Sequence, residues 1–494
     1  MINQKKLQTL DKTAIALMAM LLLFIAILIG TGDHASPKIK EFSWENQTIG
    51  AEDTAFTLTF SRPMDRASVE SNLQTDPLLP GKISWTGRKM VYTLIKPPSY
   101  GKEYEVKLER AYQQFAGGEG KRQGNPIKPF KSNFKVRDRA FAYIGVDASE
   151  KGRLILYNLT RKTKLILTPE QLVVTDFKFY PQGDRILFSA EPLLDRPPGT
   201  FNQQIYTVTT GLNASGSNSK FGELKLVLDS QAYQNLRFDL SADGKTIVVQ
   251  RLNRSNLSEF GLWVLRDGQV PLSLGGQPGG DFILAPDGVS LAIAQEQGVA
   301  ILSLNPGEKA LDFLPKFGTV LSFSRDGGAA AMVKFNTDYT KSLYYVNNQG
   351  VQKEIARTSG SVLDAKFDPT GTSVYALLTD LQQIKGEQEE DQYQEQPYLA
   401  AIDLENPKLK PLLLLPQQRD IQMTISPDGL GILFDQVVTT PGIPPDRALT
   451  TNDGQAISTS QLWFLPINAA NLQATVPVQP EKLPLAGFHP RWLP

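Results

Sequence analysis

Met423-Thr424-Ile425-Ser426-Pro427-Asp428-Gly429-Leu430-Gly431-Ile432 alternates apolar residues, breaks at a Pro-Asp-Gly turn, then resumes an apolar run. Period-two alternation marks a half-buried strand, and Asp-Gly between two such runs is a hairpin signal. The phrase recurs around Gly183, Gly244, Gly288, Gly327 and Gly371. Apolar residues stand six and four positions before each glycine: Phe177/Phe179, Phe238/Leu240, Phe282/Leu284, Leu321/Phe323, Ala365/Phe367 and Met423/Ile425. A further one follows three positions after it, as Ile186, Ile247, Leu291, Ala330, Val374 and Ile432. One hairpin is written six times, and the expected fold class is all-β.

Successive signature glycines are 61, 44, 39, 44 and 58 residues apart. The shorter gaps match the roughly 40–45 residues of a four-stranded propeller blade. Phe141–Ile144, Arg153–Tyr157 and Lys164–Leu167 read as second, third and fourth strands of a unit that lacks its first. The chain ends Ala486-Gly487-Phe488-His489-Pro490; aligned on Pro490, Phe488 and Ala486 take the two apolar positions of that missing first strand. A propeller over 140–494, closed by the C-terminal strand, is expected. Seven blades is the count, with six or eight left open, and closure removes exposed sheet edges. The Pro-Asp-Gly turns, together with strands such as Gln204-Ile205-Tyr206, resemble the TolB-type, WD40-like (PD40) propeller family. Arg325, Gln182 and Thr370 depart from its turn consensus. The resemblance implies protein partners in a bacterial cell envelope.

Between 37 and 137 the pattern is β without the repeat. Ala55–Phe60 alternates, and Ile83–Trp85 and Met90–Tyr92 flank a turn at Gly87. Tyr104–Leu108 and Phe134–Val136 add strands, and about seven short strands in a hundred residues suggest an immunoglobulin-like sandwich. Phe60-Ser61-Arg62-Pro63-Met64-Asp65, with Gly81, Trp85 and Gly87 after it, resembles the SbsA-type bacterial Ig-like domain. Such domains are mostly spacers and adhesion modules, which is what the resemblance implies here. Thr13–Gly30 carries no charge and follows Lys5, Lys6 and Lys12. It is expected to be a transmembrane helix, with 1–12 cytoplasmic and the main body extracytoplasmic, periplasmic or at the cell surface. A cleaved signal peptide is the competing reading.

Lys+Arg and Asp+Glu balance at 51 each, so no overall field favours nucleic acid, and none is expected as a partner. The absence of cysteine removes disulfides and thiolate sites, and His34 and His489 are the only histidines. No metal or other cofactor is expected. Insertions at Glu191–Gln203, Arg251–Phe260, Thr379–Pro397 and Gln436–Ser460 join second to third strands, so they crowd one rim of an antiparallel propeller. Gly211–Gly222 projects from the opposite face. Long loops on one rim suggest a face that binds a protein or an envelope polymer. Near that face, at the starts of first strands, Asp176, Arg237, Asp281 and Asp364 are candidate channel-mouth ligand contacts. The signature acids Asp243, Asp287, Asp326 and Asp428 are read as turn formers. The acidic run Gly386–Asp391 and the stretch Thr440–Arg447 are read as solvated and stiffened loop, respectively.

Gly244-Lys245-Thr246 lacks the upstream glycine of a P-loop, and G-x-S-x-G, G-x-G-x-x-G and H-E-x-x-H are absent. The expected function is that of a membrane-anchored interaction protein rather than an enzyme. Ligand sensing, or a carboxylate-based glycan-active enzyme in the channel, are the alternatives.

Overall fold

The computed structural model describes residues 9–31, 36–50, 53–114, 124–193, 202–212, 220–275, 280–308, 310–385, 391–416, 420–440, 449–451, 454–467 and 479–494. Most of the acidic run and of Thr440–Arg447 lies outside these residues, as do the centres of Glu191–Gln203 and Gly211–Gly222. Two compact units form, Met1–Arg137 and Asp138–Pro494.

In the first unit a helix runs over Thr9–Thr31, with the side chains from Thr13 to Ile25 exposed. The side chains described in this helix are those of Thr13–Ile25, and among the described residues no helix is long and apolar enough to cross a membrane. Two four-stranded sheets follow. One orders Ile39–Phe42, Ala55–Phe60, Lys89–Leu94 and Gly81–Thr86; the other orders Thr48–Ile49, Phe130–Val136, Glu103–Leu108 and Leu73–Asp76. Alternation explains their pairing. Phe56, Leu58 and Phe60 turn inward from one sheet, and Tyr104, Val106 and Leu108 from the other, into one core. That core is strongly aromatic, with Trp44 and Phe134 centroids 4.9 Å apart. A short helix, Arg66–Asn72, interrupts the β pattern where periodicity had suggested only strands.

The second unit contains, among the described residues, seven four-stranded antiparallel sheets. In six of them the signature strand lies at one edge: Leu172–Phe179, Tyr233–Leu240, Phe282–Leu284, Thr319–Phe323, Val362–Phe367 and Met423–Ile425. The remaining sheet orders Thr163–Ile166, Leu154–Asn158, Ala140–Gly145 and, from the far end of the chain, Gly487–Trp492. Edge strands of successive sheets touch one another from Tyr233–Leu240 round to Gly487–Trp492. These strands are therefore the inner ones, and Leu172–Phe179 joins their row through the Lys178–Asp239 and Asp176–Arg491 pairs.

The turns work as their residues require. All six signature glycines have φ between 69° and 72°, the left-handed region that glycine enters without strain. Asp243, Asp287, Asp326 and Asp428 each accept a backbone N–H two residues on, at 2.9–3.0 Å. Ser241, Ser324 and Ser426 complete the turn by donating their hydroxyls to Asp243, Asp326 and Asp428. Gly183 also touches the closing segment, since a Cβ there would meet Leu493 Cδ1 at 2.6 Å. Gly183→Ala is therefore expected to lower stability by roughly 1–2 kcal/mol from backbone conformation alone. Displacement of Leu493 adds to that loss. Chemical denaturation compared with Gly371→Ala, where φ is similar and nothing lies within 4 Å, separates the two terms.

The closing register differs from the sequence reading. Gly487 and Phe488 pair with Gly145 and Ile144, whereas Arg491 and Trp492 pair with Ala142 and Phe141, so His489-Pro490 forms a bulge. Leu493 N donates to Ala140 O, as Tyr180 N donates to Arg185 O in the next sheet. Pro494, and not Pro490, thus corresponds to the turn proline Pro181, and Pro490 and Trp492 take the two apolar positions. Proline has no N–H to give a ladder, so it is accommodated at the bulge, with His489 turned to φ 59°.

Two insertions expected as loops are strands. Ser373–Lys385 and Asp391–Asp403 pair continuously from Ser373↔Asp403 to Lys385↔Asp391. Gly431–Thr440 and Ala456–Pro466 pair as far as Thr440↔Ala456.

Candidate functional site

The inner strands Leu172–Phe179, Val362–Phe367, Met423–Ile425 and Gly487–Trp492 supply most of the walls of a channel cavity of about 300 Å³. Lys178, Lys366, Thr424 and Arg491 occupy one level, each five positions before a turn glycine or its equivalent. Asp364, Gln422 and His489 stand near the strand starts above them. Side chains at alternate positions of an inner strand face the channel, because strand periodicity is two.

Two carboxylates behind the lining hold it in place. Asp239 is buried, pairs with Lys178 on the neighbouring inner strand, and accepts Leu284 N at 2.9 Å from the next. One acid therefore stitches three consecutive inner strands. Asp435, also buried, accepts Gln422 N at 2.7 Å and His489 N at 2.6 Å. It thereby ties the closing strand to the sheet before it. Burial pushes the Asp435 carboxyl up to about 7, against the opposing effect of these two N–H donors.

Of the sequence candidates, only Asp364 lines the cavity, where it pairs with Lys366 at 2.9 Å. Asp176 accepts from Arg491 Nη2 at 3.0 Å and from Phe177 N at 2.7 Å. Burial raises its pKa, but Arg491, His489 and Lys178 outweigh that and hold the carboxyl below its ordinary range. Arg237 and Asp281 form an exposed ion pair across two neighbouring inner strands and do not line the cavity. The four do not converge on one point. Burial, reinforced by Arg491, pushes His489 down to about 4, so its ring is neutral at pH 7. Nε2 then accepts from Arg491 Nη2 at 2.9 Å. The sequence reading missed Lys178, Lys366 and Arg491; their register five residues before the turn glycine was the available signal, obscured for Arg491 by the misplaced closing strand.

No protein-family model matches the chain, and no curated protein matches it. Solved structures do. An oligogalacturonate lyase from Vibrio parahaemolyticus is 11% identical with a TM-score of 0.43, the match covering 60% of this chain and 87% of that one. TolB from Acinetobacter baumannii is 12% identical with a TM-score of 0.38, covering 69% and 80%. A protein ascribed 6-phosphogluconolactonase activity, from Bacteroides uniformis, is 12% identical with a TM-score of 0.41, covering 72% and 99%. The likeness is to β-propellers and is one of fold. It also corrects the expectation of a protein that is not an enzyme: a lyase and a protein ascribed lactonase activity are among the matching propellers.

Proposed function

We propose that Asp138–Pro494 is a seven-bladed TolB-type propeller that binds a protein or envelope-polymer partner on the rim carrying its extended hairpins. The paired ribbon Ser373–Lys385/Asp391–Asp403 carries this reading. It continues well past Leu377↔Leu399, where its strands are still buried, and its outer part exposes Leu381, Gln382 and Tyr393. A two-stranded ribbon is marginal in water by itself, and apolar side chains on it favour burial by a partner. The second hairpin is less available. Its Leu449 and Thr451 are buried, and Leu449 lies near Gly152, in the turn before Leu154–Asn158.

The first unit fits the same reading as an SbsA-type Ig-like spacer, given its two sheets around one aromatic core. The helix Thr9–Thr31 would tether the chain to the cell membrane in a single pass. In support, every side chain from Ala14 to Ile25 is apolar and exposed, and Lys5 and Lys6 precede the helix. The main body would then be extracytoplasmic.

Shortening the ribbon, by replacing 381–394 with Asn-Gly in the full chain, is expected to reduce cross-linked partner recovery at least tenfold with the melting temperature retained. Unchanged partner recovery would overturn the rim assignment. Alkaline carbonate extraction tests the tether: the full chain should stay in the membrane pellet, and its release would remove that part of the proposal.

A further inference from the structure

We propose that the channel cavity binds a small multivalent oxyanion, a phosphoryl or carboxylate group, between Lys178, Lys366 and Arg491. This goes beyond docking on the rim. Three cationic side chains line the cavity against one acidic side chain, Asp364. Asp176 and Asp239, which pair with Arg491 and Lys178, are not among the lining residues. Asp239 is further engaged by Leu240 N and Leu284 N, one on each oxygen. Cationic side chains therefore outnumber acidic ones on the cavity wall: the counter-charges of Lys178 and Arg491 are not part of the lining, and only Lys366 has its own, Asp364, beside it there. His489, held neutral by burial and by Arg491, neither adds to that charge nor cancels it.

The donors are also unspent. Each ammonium carries three N–H groups. Lys178 gives one to Asp239 and Lys366 gives one to Asp364. Nε of Arg491 is buried with no hydrogen-bond partner. That guanidinium otherwise donates only through Nη2, to Asp176 and His489. Planar guanidinium against a carboxylate or phosphoryl group is the geometry that makes two parallel hydrogen bonds. The volume, about 300 Å³, stands at the small end of ligand pockets. The guest is thus a small phosphate ester or dicarboxylate rather than a long polymer chain. Three converging cations favour a dianion over chloride.

The test uses the full-length chain in detergent, with inorganic phosphate and malonate as probes and sodium chloride at matched ionic strength as control. At least one oxyanion is expected to raise the melting temperature above the chloride control and to bind by calorimetry. Phosphate preferred over malonate identifies a phosphoryl site, and the reverse a carboxylate site. Lys366→Gln should weaken that binding about tenfold, equivalent to about 1.4 kcal/mol. In the unmodified chain the bound oxyanion should also protect Lys178 and Lys366 from amine acetylation while leaving the exposed Lys245 reactive. No shift beyond chloride, or unprotected Lys178 and Lys366, would overturn the proposal. The ribbon-shortened chain should bind the oxyanion unchanged, so failure of rim docking and failure of the channel site are read separately.

Discussion

Removing Gly487–Pro494 is expected to abolish the cooperative melting of the whole second unit. Those residues are the inner strand of the first sheet, and without them Ala140–Gly145, buried at all six positions, becomes an open edge. Asp176 would lose Arg491, and Asp435 would lose the His489 N–H. Trp492 alone is a large fraction of the effect. It is buried, 5.6 Å from the Phe141 ring and 6.2 Å from Phe464, with the Arg139 guanidinium 4.9 Å over its face. Trp492→Ala is expected to cost about 3–5 kcal/mol as a core deletion. The truncation, which adds the lost ladder and both carboxylate contacts, should lower the melting temperature by more than Trp492→Ala does. Calorimetry and near-ultraviolet circular dichroism decide. A truncated chain that melts as hot and as sharply as the intact one would refute closure by this strand.

Asp435→Asn should be the most informative single change behind the channel. The carboxylate accepts two backbone N–H groups from two different segments. An amide can accept only with its oxygen, so one N–H would face an NH₂ group, at a cost of roughly 1–3 kcal/mol. The pH dependence carries a second signature. The folded carboxyl sits at about 7, above the ordinary carboxylate value. Between about pH 4 and 7 the folded chain therefore holds a proton that the unfolded chain has released. The stability contributed by this group is fully present below about pH 4 and is lost as pH rises through 7. His489 works oppositely. Its folded value of about 4 lies below the unfolded one, so its contribution is present above about pH 6.5 and is lost as pH falls through 4. Asp435→Asn should remove the downward component and leave stability rising from pH 4 to 6.5. Denaturation midpoints at half-unit pH steps measure this, and a profile parallel to that of the unchanged chain would exclude Asp435 as the titrating group.

The candidate site was legible in part. Asp364 was read as a channel residue because it begins an inner strand, and it lines the cavity. Arg237 and Asp281 share its register but satisfy one another at the exposed surface. Which charges in a common register meet depends on the partners that neighbouring sheets bring up, and those partners are dozens of residues away: Lys178 meets Asp239, and Asp176 meets Arg491. The ribbon was visible only as an insertion, since its Gln- and Glu-rich strands carry weak β propensity and pair because the hairpin below them is already in register.

Local chemistry in the sequence determined the hairpins themselves. Period-two apolar residues, a left-handed glycine and an aspartate that caps its own turn act within ten residues, so six turns were readable in place. Ring closure was readable as a need, since a unit lacking its first strand must borrow one. Its register was not. A bulge at His489-Pro490 shifts every later residue, and only contact with Ala140–Gly145 selects the pairing. The cationic channel likewise exists only once inner strands from opposite ends of the chain stand side by side, because side chains gain or lose partners through folded distance and not through position along the chain.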